Sequence, residues 1–259
     1  MHHSFCPLCR SVSIQSLYEA VRVWNCLKCG LSFRNPQPNN DELADLYLQS
    51  YDAANISAGT TRMAGTTLSL ARRYVRCLSK TQELRGKAVL DFGAGLGTMS
   101  IALMEYGAEV VAVEPFARHE CEKVGIKTYR SLGDLPEGSR FDAIVAVDVV
   151  EHLHLPWVTL KELRALLSPT GWLYVATLNA NGLNARISGA RWREIVKPTH
   201  LIFFNQRTLE HTLKEAGFQH FFRLKWFIRY SNNPAIILLH WLLQHTGLDG
   251  ELKYLAQKD

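Results

Sequence analysis

Ala88-Val89-Leu90-Asp91-Phe92-Gly93-Ala94-Gly95-Leu96-Gly97 is the stretch on which the reading of this chain turns. A short apolar run ends in an acid, glycines follow at alternate positions, and a helical pattern continues through Tyr106. Strand, glycine turn and helix in that order make a cradle. Glycine has no Cβ to hold a ligand off the backbone, and the helix N-terminus adds a favourable dipole for negative charge. Downstream, Glu109-Val110-Val111-Ala112-Val113-Glu114 reads as a second strand, whose terminal acid stands 23 residues after Asp91. An acid at that place can accept both hydroxyls of an adenosine ribose.

Strands and helices then alternate: a strand Phe141 to Val147, a helix Trp157 to Leu167, a strand Trp172 to Thr177, a helix Gln206 to Ala216 and a strand after Phe218. This pattern predicts an α/β fold with a doubly wound sheet. Two rival readings of the glycine loop fail on spacing or context. A dinucleotide fingerprint, counted from Gly93, needs its third glycine where Thr98 stands, and Gly97 falls one residue early. Asp91-Phe92-Gly93 spells the kinase metal motif, but no H-R-D loop or upstream glycine-rich hairpin accompanies it. A glycine turn that binds nothing would leave Glu114 unexplained.

At 259 residues, 47% hydrophobic and 20% charged, the chain can bury a sizeable core, which excludes a disordered tail or a disulfide miniprotein. The net charge of +5 is mild, but it is concentrated. Between Asn181 and Tyr230, nine basic residues face three acidic ones, and the first forty residues hold four basic residues against Glu19. No run of five like charges occurs, so a basic tail for nucleic acid is not expected. The apolar run Ala235 to Leu243, broken at His240, is far short of the ~18 to 20 residues of a membrane span. Met1-His2-His3-Ser4-Phe5-Cys6 lacks the charged and apolar regions of a secretory signal, so a cytoplasmic location with reduced thiols is expected.

Four of six cysteines fall in Cys6-Pro7-Leu8-Cys9 and Cys26-Leu27-Lys28-Cys29, two CxxC pairs sixteen residues apart. That spacing predicts a closed, structural Zn2+ site of four thiolates; a redox CxxC or four plain reduced thiols are the other readings. Cys77 and Cys121 stand alone in helical patterns as small buried hydrophobes. Asn35-Pro36-Gln37-Pro38 marks a boundary, Asp41 to Tyr47 reads as an amphipathic helix, and Ser57 to Thr67 as a mobile linker or lid before a helix near Leu68 to Ser79. The organisation expected is 1–38 zinc ribbon, 39–80 helical lid or linker, 81–230 nucleotide-binding domain and 231–259 C-terminal helical tail.

The stretch Val89 to Gly97 resembles the first motif of class I S-adenosylmethionine-dependent methyltransferases. Glu114 resembles their ribose-binding acid, and Phe141 to Leu153 the strand and loop beside which the methionine end of the donor lies. The resemblance implies a Rossmann-like seven-stranded methyltransferase sheet, with S-adenosylmethionine held by Asp91, Gly93, Gly95, Gly97, Glu114 and Asp148. Further on, Asn179, Gly189, Trp192 and Pro198-Thr199-His200-Leu201-Ile202-Phe203-Phe204 resemble the acceptor-side loop of ubiquinone-type O-methyltransferases and deoxysugar C-methyltransferases. The sugar enzymes also carry an N-terminal double-CxxC zinc domain and an Asn-Pro-x-Pro linker, which implies Zn2+ on Cys6, Cys9, Cys26 and Cys29. They continue into a further C-terminal domain beyond the point where this sequence stops, which counts against carbon methylation of a sugar.

Methyl transfer is an in-line displacement in which alignment supplies much of the rate, but a hydroxyl or carbon acceptor must lose a proton. The loop histidines His152, His154 and His200 are the candidates, and the resemblance implies a base at His200, with His152 on the acceptor side. Tyr47, Tyr51, Trp192 and Phe203 are candidates for an acceptor pocket or for plain core. Arg186, Arg191, Arg193 and Lys197 suggest an anionic small-molecule or glycan acceptor, such as a nucleotide-linked sugar, or else a solubilising surface loop. A zinc-containing RNA methyltransferase and a non-catalytic adaptor are the competing functions. Asp148-Val149-Val150-Glu151 stands where exocyclic base methylases carry an N/D/S-P-P-Y/F loop.

Overall fold

The computed structural model describes residues 2–53, 60–225 and 233–258, without the side chains of residues 50–53 and 60–67. Three short strands open the chain: β1 Ile14–Tyr18, β2 Val23–Cys26 and β3 Ser32–Arg34. Helices α1 Asn40–Ala53 and α2 Thr60–Leu78 follow. The alternating part runs β4 Ala88–Phe92, α3 Thr98–Glu105, β5 Glu109–Val113, α4 Arg118–Lys123, β6 Lys127–Tyr129, β7 Phe141–Val147, α5 Pro156–Leu166 and β8 Leu167–Leu178. It closes with α6 Leu183–Ser188, α7 Arg193–Val196, β9 Ile202–Phe203, α8 Gln206–Glu215, β10 His220–Arg223, α9 Pro234–Thr246 and β11 Glu251–Gln257.

The large sheet has the order β10-β11-β8-β7-β4-β5-β6, a Rossmann-like methyltransferase sheet. β6, β5, β4, β7 and β8 are mutually parallel, and β11 is antiparallel to both β8 and β10. Its central strands are buried on both faces, which is why they read as continuous apolar runs. Leu90 and Ile144 pack into one core layer, and their neighbours Val89 and Val145 into the other. The chain leaves β4 toward β5 and β6, then returns to β7 on the opposite side of β4. The loops after β4 and β7 therefore diverge, and a crevice opens beyond the carboxyl ends of these two strands.

The N-terminal strands do not form an independent unit. Their sheet has the order β1-β2-β3-β9, so β9 of the downstream chain completes it, with Phe33 opposite Ile202. Cys6, Leu31 and Phe33 share one core cluster with Leu201, Phe204 and Leu90. The expected boundary near residue 38 is thus crossed by both hydrogen bonds and packing. Asn39 begins α1 with a reciprocal cap: Glu42 N donates to its Oδ1 at 2.9 Å, and its own N donates to Glu42 Oε2 at 2.8 Å.

Two expectations need correction. Helix α2 starts at Thr60, eight residues before the expected Leu68, so the Gly/Ser/Thr-rich stretch is largely helical; residues 57–59 lie outside the described residues. The segment 231–259 is not a helical tail. After α9 the chain turns at Gly247 and Glu251–Gln257 enters the sheet between β8 and β10, with Leu252, Tyr254, Leu255 and Ala256 almost fully buried. The alternation Glu251-Leu252-Lys253-Tyr254 is itself a strand signal, and the structure adds that Lys253 is buried and ion-paired to Glu251 at 2.8 Å.

Candidate active site

The crevice at the ends of β4 and β7 is a cleft of about 770 Å³, within the range of small-molecule sites. The glycine loop, the β5–α4 turn and the loop after β7 border it, and α1 and α2 add Leu43, Tyr47, Leu70 and Tyr74. Glu114 is nearly buried at its edge. Gly95 N donates to Glu114 Oε2 at 2.8 Å, and Phe116 N and Ala117 N donate to Oε1 at 2.8 and 3.0 Å. Three amides thus fill three of roughly four acceptor positions of the carboxylate and fix its direction. One position on Oε2 is left for an incoming hydroxyl donor.

The glycines are explained in part by the protein itself. At Gly93, with φ of 76°, a Cβ would come within 2.4 Å of Val149 Cγ2, and at Gly97, with φ of 77°, within 2.7 Å of Ile126 Cδ1. Two of the three therefore let the loops pack on each other, beyond any room they leave for a ligand. Asp91 turns away from a purely ligand-facing role: Ser100 Oγ in the first turn of α3 donates to its Oδ2 at 2.6 Å. Burial, aided by Glu114, pushes its carboxyl up to about 6.

Asp148 follows β7 in the left-handed region, φ 54°, a strained conformation for a residue with a side chain. It borders the cleft and is exposed to it. Crowding by protein and the nearby Glu251 carboxylate raise its carboxyl above the ordinary range, an effect that the open cleft tempers.

The three loop histidines divide. His152 borders the cleft, half-buried, with its ring 5.6 Å from that of Tyr47, which in turn stacks on Phe116 at 4.5 Å. Its Nδ1 lies 2.9 Å from Thr199 O, so Nδ1 carries the proton and Nε2 is the basic nitrogen. Burial pushes its pKa down to about 4, so the ring is neutral at pH 7. His200 lies behind it, edge-on at 4.6 Å, 4% exposed and outside the lining of the cleft. Its pKa is lowered still further, by burial and then by His152, and its Nδ1 has no hydrogen bond among the described residues. Of the two expected acceptor-side histidines, His152 is the one that borders the cleft. His154 faces elsewhere, its Nε2 2.7 Å from Pro38 O.

Sequence reasoning passed over Glu151. It is buried, takes a hydrogen bond from Thr177 Oγ1 at 2.7 Å, and its carboxyl is raised to about 8 by burial and by Asp148. Ligand-capable atoms of Glu151, His152 and His200 all lie within 4.8 Å of one another, a spacing compatible with a metal ion. Arg34 was also missed. Buried beside the ribbon, it donates to the carbonyls of His200 (3.0 Å), Val21 (2.7 Å), Ile195 (2.9 Å) and Lys197 (2.8 Å). A charge that spends its donors on the backbone carries no sequence signature.

Of the acceptor-side candidates, Tyr47 borders the cleft, while Trp192 and Phe203 sit in a core cluster with Val23 and Ile195. The side chain of Tyr51 lies outside the described residues. Arg186, Arg191, Arg193 and Lys197 are absent from the cleft lining. Arg186 donates to Asn181 O, and Arg193 and Lys197 both pair with Glu194.

At the ribbon, the sulfur of Cys6 is 3.6 Å from that of Cys29, and the sulfur of Cys9 is 3.5 Å from that of Cys26. Tetrahedral Zn2+ with bonds of about 2.3 Å needs sulfurs about 3.8 Å apart. The two knuckles repeat one geometry: Arg10 N donates to Cys6 O and Gly30 N to Cys26 O, with Arg10 and Gly30 both left-handed. The hydrogen bond between the Cys6 and Cys29 sulfurs lowers the Cys6 thiol to about 5 and raises that of Cys29. The donor set fits zinc.

Comparison with known proteins places this geometry. Residues 64–220 match a family model described as a methyltransferase domain. A ubiquinone biosynthesis O-methyltransferase of Cereibacter sphaeroides is 35% identical over 172 residues, 60% of this chain and 70% of that protein. One from Azorhizobium caulinodans is 29% identical over 166 residues, 58% of this chain and 66% of the relative. Among solved structures, a SAM-dependent methyltransferase from Archaeoglobus fulgidus aligns with a TM-score of 0.54 at 19% identity, covering 74% of this chain and 93% of that one. The 1,6-didemethyltoxoflavin-N1-methyltransferase of Burkholderia thailandensis aligns at 0.55 and 16% identity, covering 89% and 96%. At such identities the structures speak for the fold alone.

Proposed function

The chain belongs to the methyltransferase-domain family as an S-adenosylmethionine-dependent methyltransferase, and from that premise we propose that it methylates a hydroxyl oxygen of a small-molecule acceptor. The observation that carries this reading is His152, neutral, fixed in one tautomer by Thr199 O, and placed at the cleft beside Tyr47. The ubiquinone-type relatives are O-methyltransferases by name, which supports the same acceptor atom.

When bound, the donor supplies an electrophilic methyl group on a sulfonium. Glu114 and the Gly93–Gly97 loop bind its adenosine, and Asp148 receives its charged end. His152 Nε2 takes the acceptor proton as the oxygen–methyl bond forms and the methyl–sulfur bond breaks, its electron pair remaining on sulfur. His200 packs edge-on against the base and holds its ring in place. Four cysteines hold one structural Zn2+, and the thiol-rich ribbon suits a reducing compartment such as the cytoplasm.

The anionic acceptor suggested by the charge of residues 181–230, a nucleotide-linked sugar or glycan, is the second reading. Neutralisation of Arg193 and Lys197 by Glu194 and their absence from the cleft lining count against it. Donor turnover against phenols, catechols, nucleotide sugars and RNA separates the two. We expect an O-methyl ether from a phenolic acceptor, and a 10²- to 10⁴-fold lower turnover with near-normal donor affinity for His152→Ala. Full turnover by His152→Ala would remove the base assignment, and preference for a nucleotide sugar would favour the second reading.

A further inference from the structure

Glu151 and His152 share one short turn after β7, Val150–His152, and His200 stands far along the chain, just before β9. Two hydrogen bonds tie these segments together. Leu201 N donates to Glu151 O at 2.8 Å, and His152 Nδ1 donates to Thr199 O at 2.9 Å, so the residues on either side of His200 are anchored to the turn. The fold itself gathers the three side chains, with ligand-capable atoms all within 4.8 Å of one another. His200 is 4% exposed, and its buried Nδ1 has no hydrogen bond among the described residues. A buried polar atom in a native protein ordinarily has a partner, which can be an ion.

The other two side chains have the outer partners that metal ligands use. His152 gives its Nδ1 proton to a backbone carbonyl, which leaves the Nε2 lone pair free, and Thr177 Oγ1 donates to Glu151 Oε2 at 2.7 Å, which orients that carboxylate. Two imidazoles and one carboxylate suit Zn2+ or Co2+ better than Mg2+ or Ca2+, which favour oxygen ligands throughout. Around a tetrahedral Zn2+ with bonds of about 2.1 Å, ligand atoms stand about 3.4 Å apart. From the 4.8 Å limit, the side chains need to close by at most about 1.4 Å. The two neighbouring cations are already engaged, Lys197 with Glu194 and Arg34 with four backbone carbonyls. An ion has a way in through the cleft that His152 borders.

We propose that Glu151, His152 and His200 form an exchangeable site for a divalent transition-metal ion, separate from the four cysteines and with a coordination position left open. A bound ion takes the His152 Nε2 lone pair that the reaction proposed above requires, so filling the site arrests turnover. That consequence rests on His152 being the base, whereas the site does not. With three ligands and one carboxylate, it holds its ion less tightly than four thiolates do. The full chain prepared without added metal should therefore carry only the cysteine-bound zinc, and after dialysis against added Zn2+ it should carry a second ion. Glu151→Gln and His200→Gln should each stay at one zinc while still melting cooperatively and binding the donor. Co2+ added to the wild type with its cysteine site full of zinc should give visible absorption from nitrogen and oxygen ligands without thiolate charge-transfer bands, and neither variant should show it. Turnover of the wild type should fall at least tenfold as the second ion binds, and Glu151→Gln should lose that sensitivity. Absence of a second ion in the wild type, or its retention by both variants, overturns the site. A second ion that needs the same residues but leaves turnover unchanged or raises it upholds the site and overturns His152 as the base.

Discussion

Asp91 is protonated over a range in which an exposed aspartate is not, and its consequence for stability has a definite sign. Burial raises its pKa from the ordinary 3.8 to about 6, with Ser100 as its hydrogen-bond partner. A folded-state pKa above the unfolded one means that the native protein binds more protons in that window. The stabilisation is complete below about pH 4 and is lost as pH rises through about 6. Asp91→Asn keeps an acceptor for Ser100 without the ionisation. Relative to this variant, the wild type should therefore lose on the order of 2 to 3 kcal/mol between about pH 4 and 7, read from denaturant midpoints in the two proteins. A constant difference across that range would show that Asp91 is not desolvated. At this scale the sequence was legible where residue type follows from backbone geometry, as in the glycine loop and Glu114. It was opaque where burial decides. Nothing in the letters says that His152 and not His200 borders the cleft, or that Arg34 and Glu151 are inside, because a charged residue's partners come from remote elements.

Between elements, the ribbon and the acceptor-side loop are one mechanical unit. β9 pairs with β3, Arg34 N donates to Leu201 O, the Arg34 guanidinium holds the carbonyls of Lys197 and His200, and Asn205 Nδ2 reaches Gly30 O beside the last cysteine. The CxxC spacing made the ribbon itself legible; its docking was not, since a two-residue strand such as Ile202–Phe203 has no period to read. Removal of the metal should then reach the active site. Elemental analysis should find one zinc per chain. Chelation, or Cys26→Ser, should speed amide exchange not only over residues 2–38 but also over Lys197 to Phe204, and should lower turnover more than donor affinity. Arg34→Ala should reproduce the second effect with zinc retained, at a cost of several kcal/mol because it orphans four carbonyls, two of them in buried contacts. Exchange confined to residues 2–38 would mean that the ribbon is an independent appendage.

For the whole molecule, the parallel half of the sheet was readable from its alternation of apolar strands and helices, and the antiparallel edge was not. The chain spends α9 and a left-handed glycine to turn back, and β11 then inserts between β8 and β10, a step that local pattern cannot announce because its partners lie some 30 to 80 residues upstream. This insertion makes the last residues a structural necessity. Leu252, Tyr254 and Leu255 are at most 1% exposed, and burying each is worth roughly 1.5 to 3 kcal/mol, so together they amount to about 5 to 9 kcal/mol. That is comparable with the whole stability of an ordinary domain, about 5 to 15 kcal/mol. A chain ending at Asp249 would lose this contribution, expose the edge of β8 and leave β10 unpaired. It should therefore aggregate or melt without a cooperative transition, and fail to bind the donor although every residue of the cleft is present. The outward side chains of α9 belong to the other class: Leu238→Glu removes no buried contact and should leave the melting midpoint within a few degrees of wild type. A truncated chain that melts cooperatively near the wild-type midpoint would show instead that β8 can end the sheet by itself.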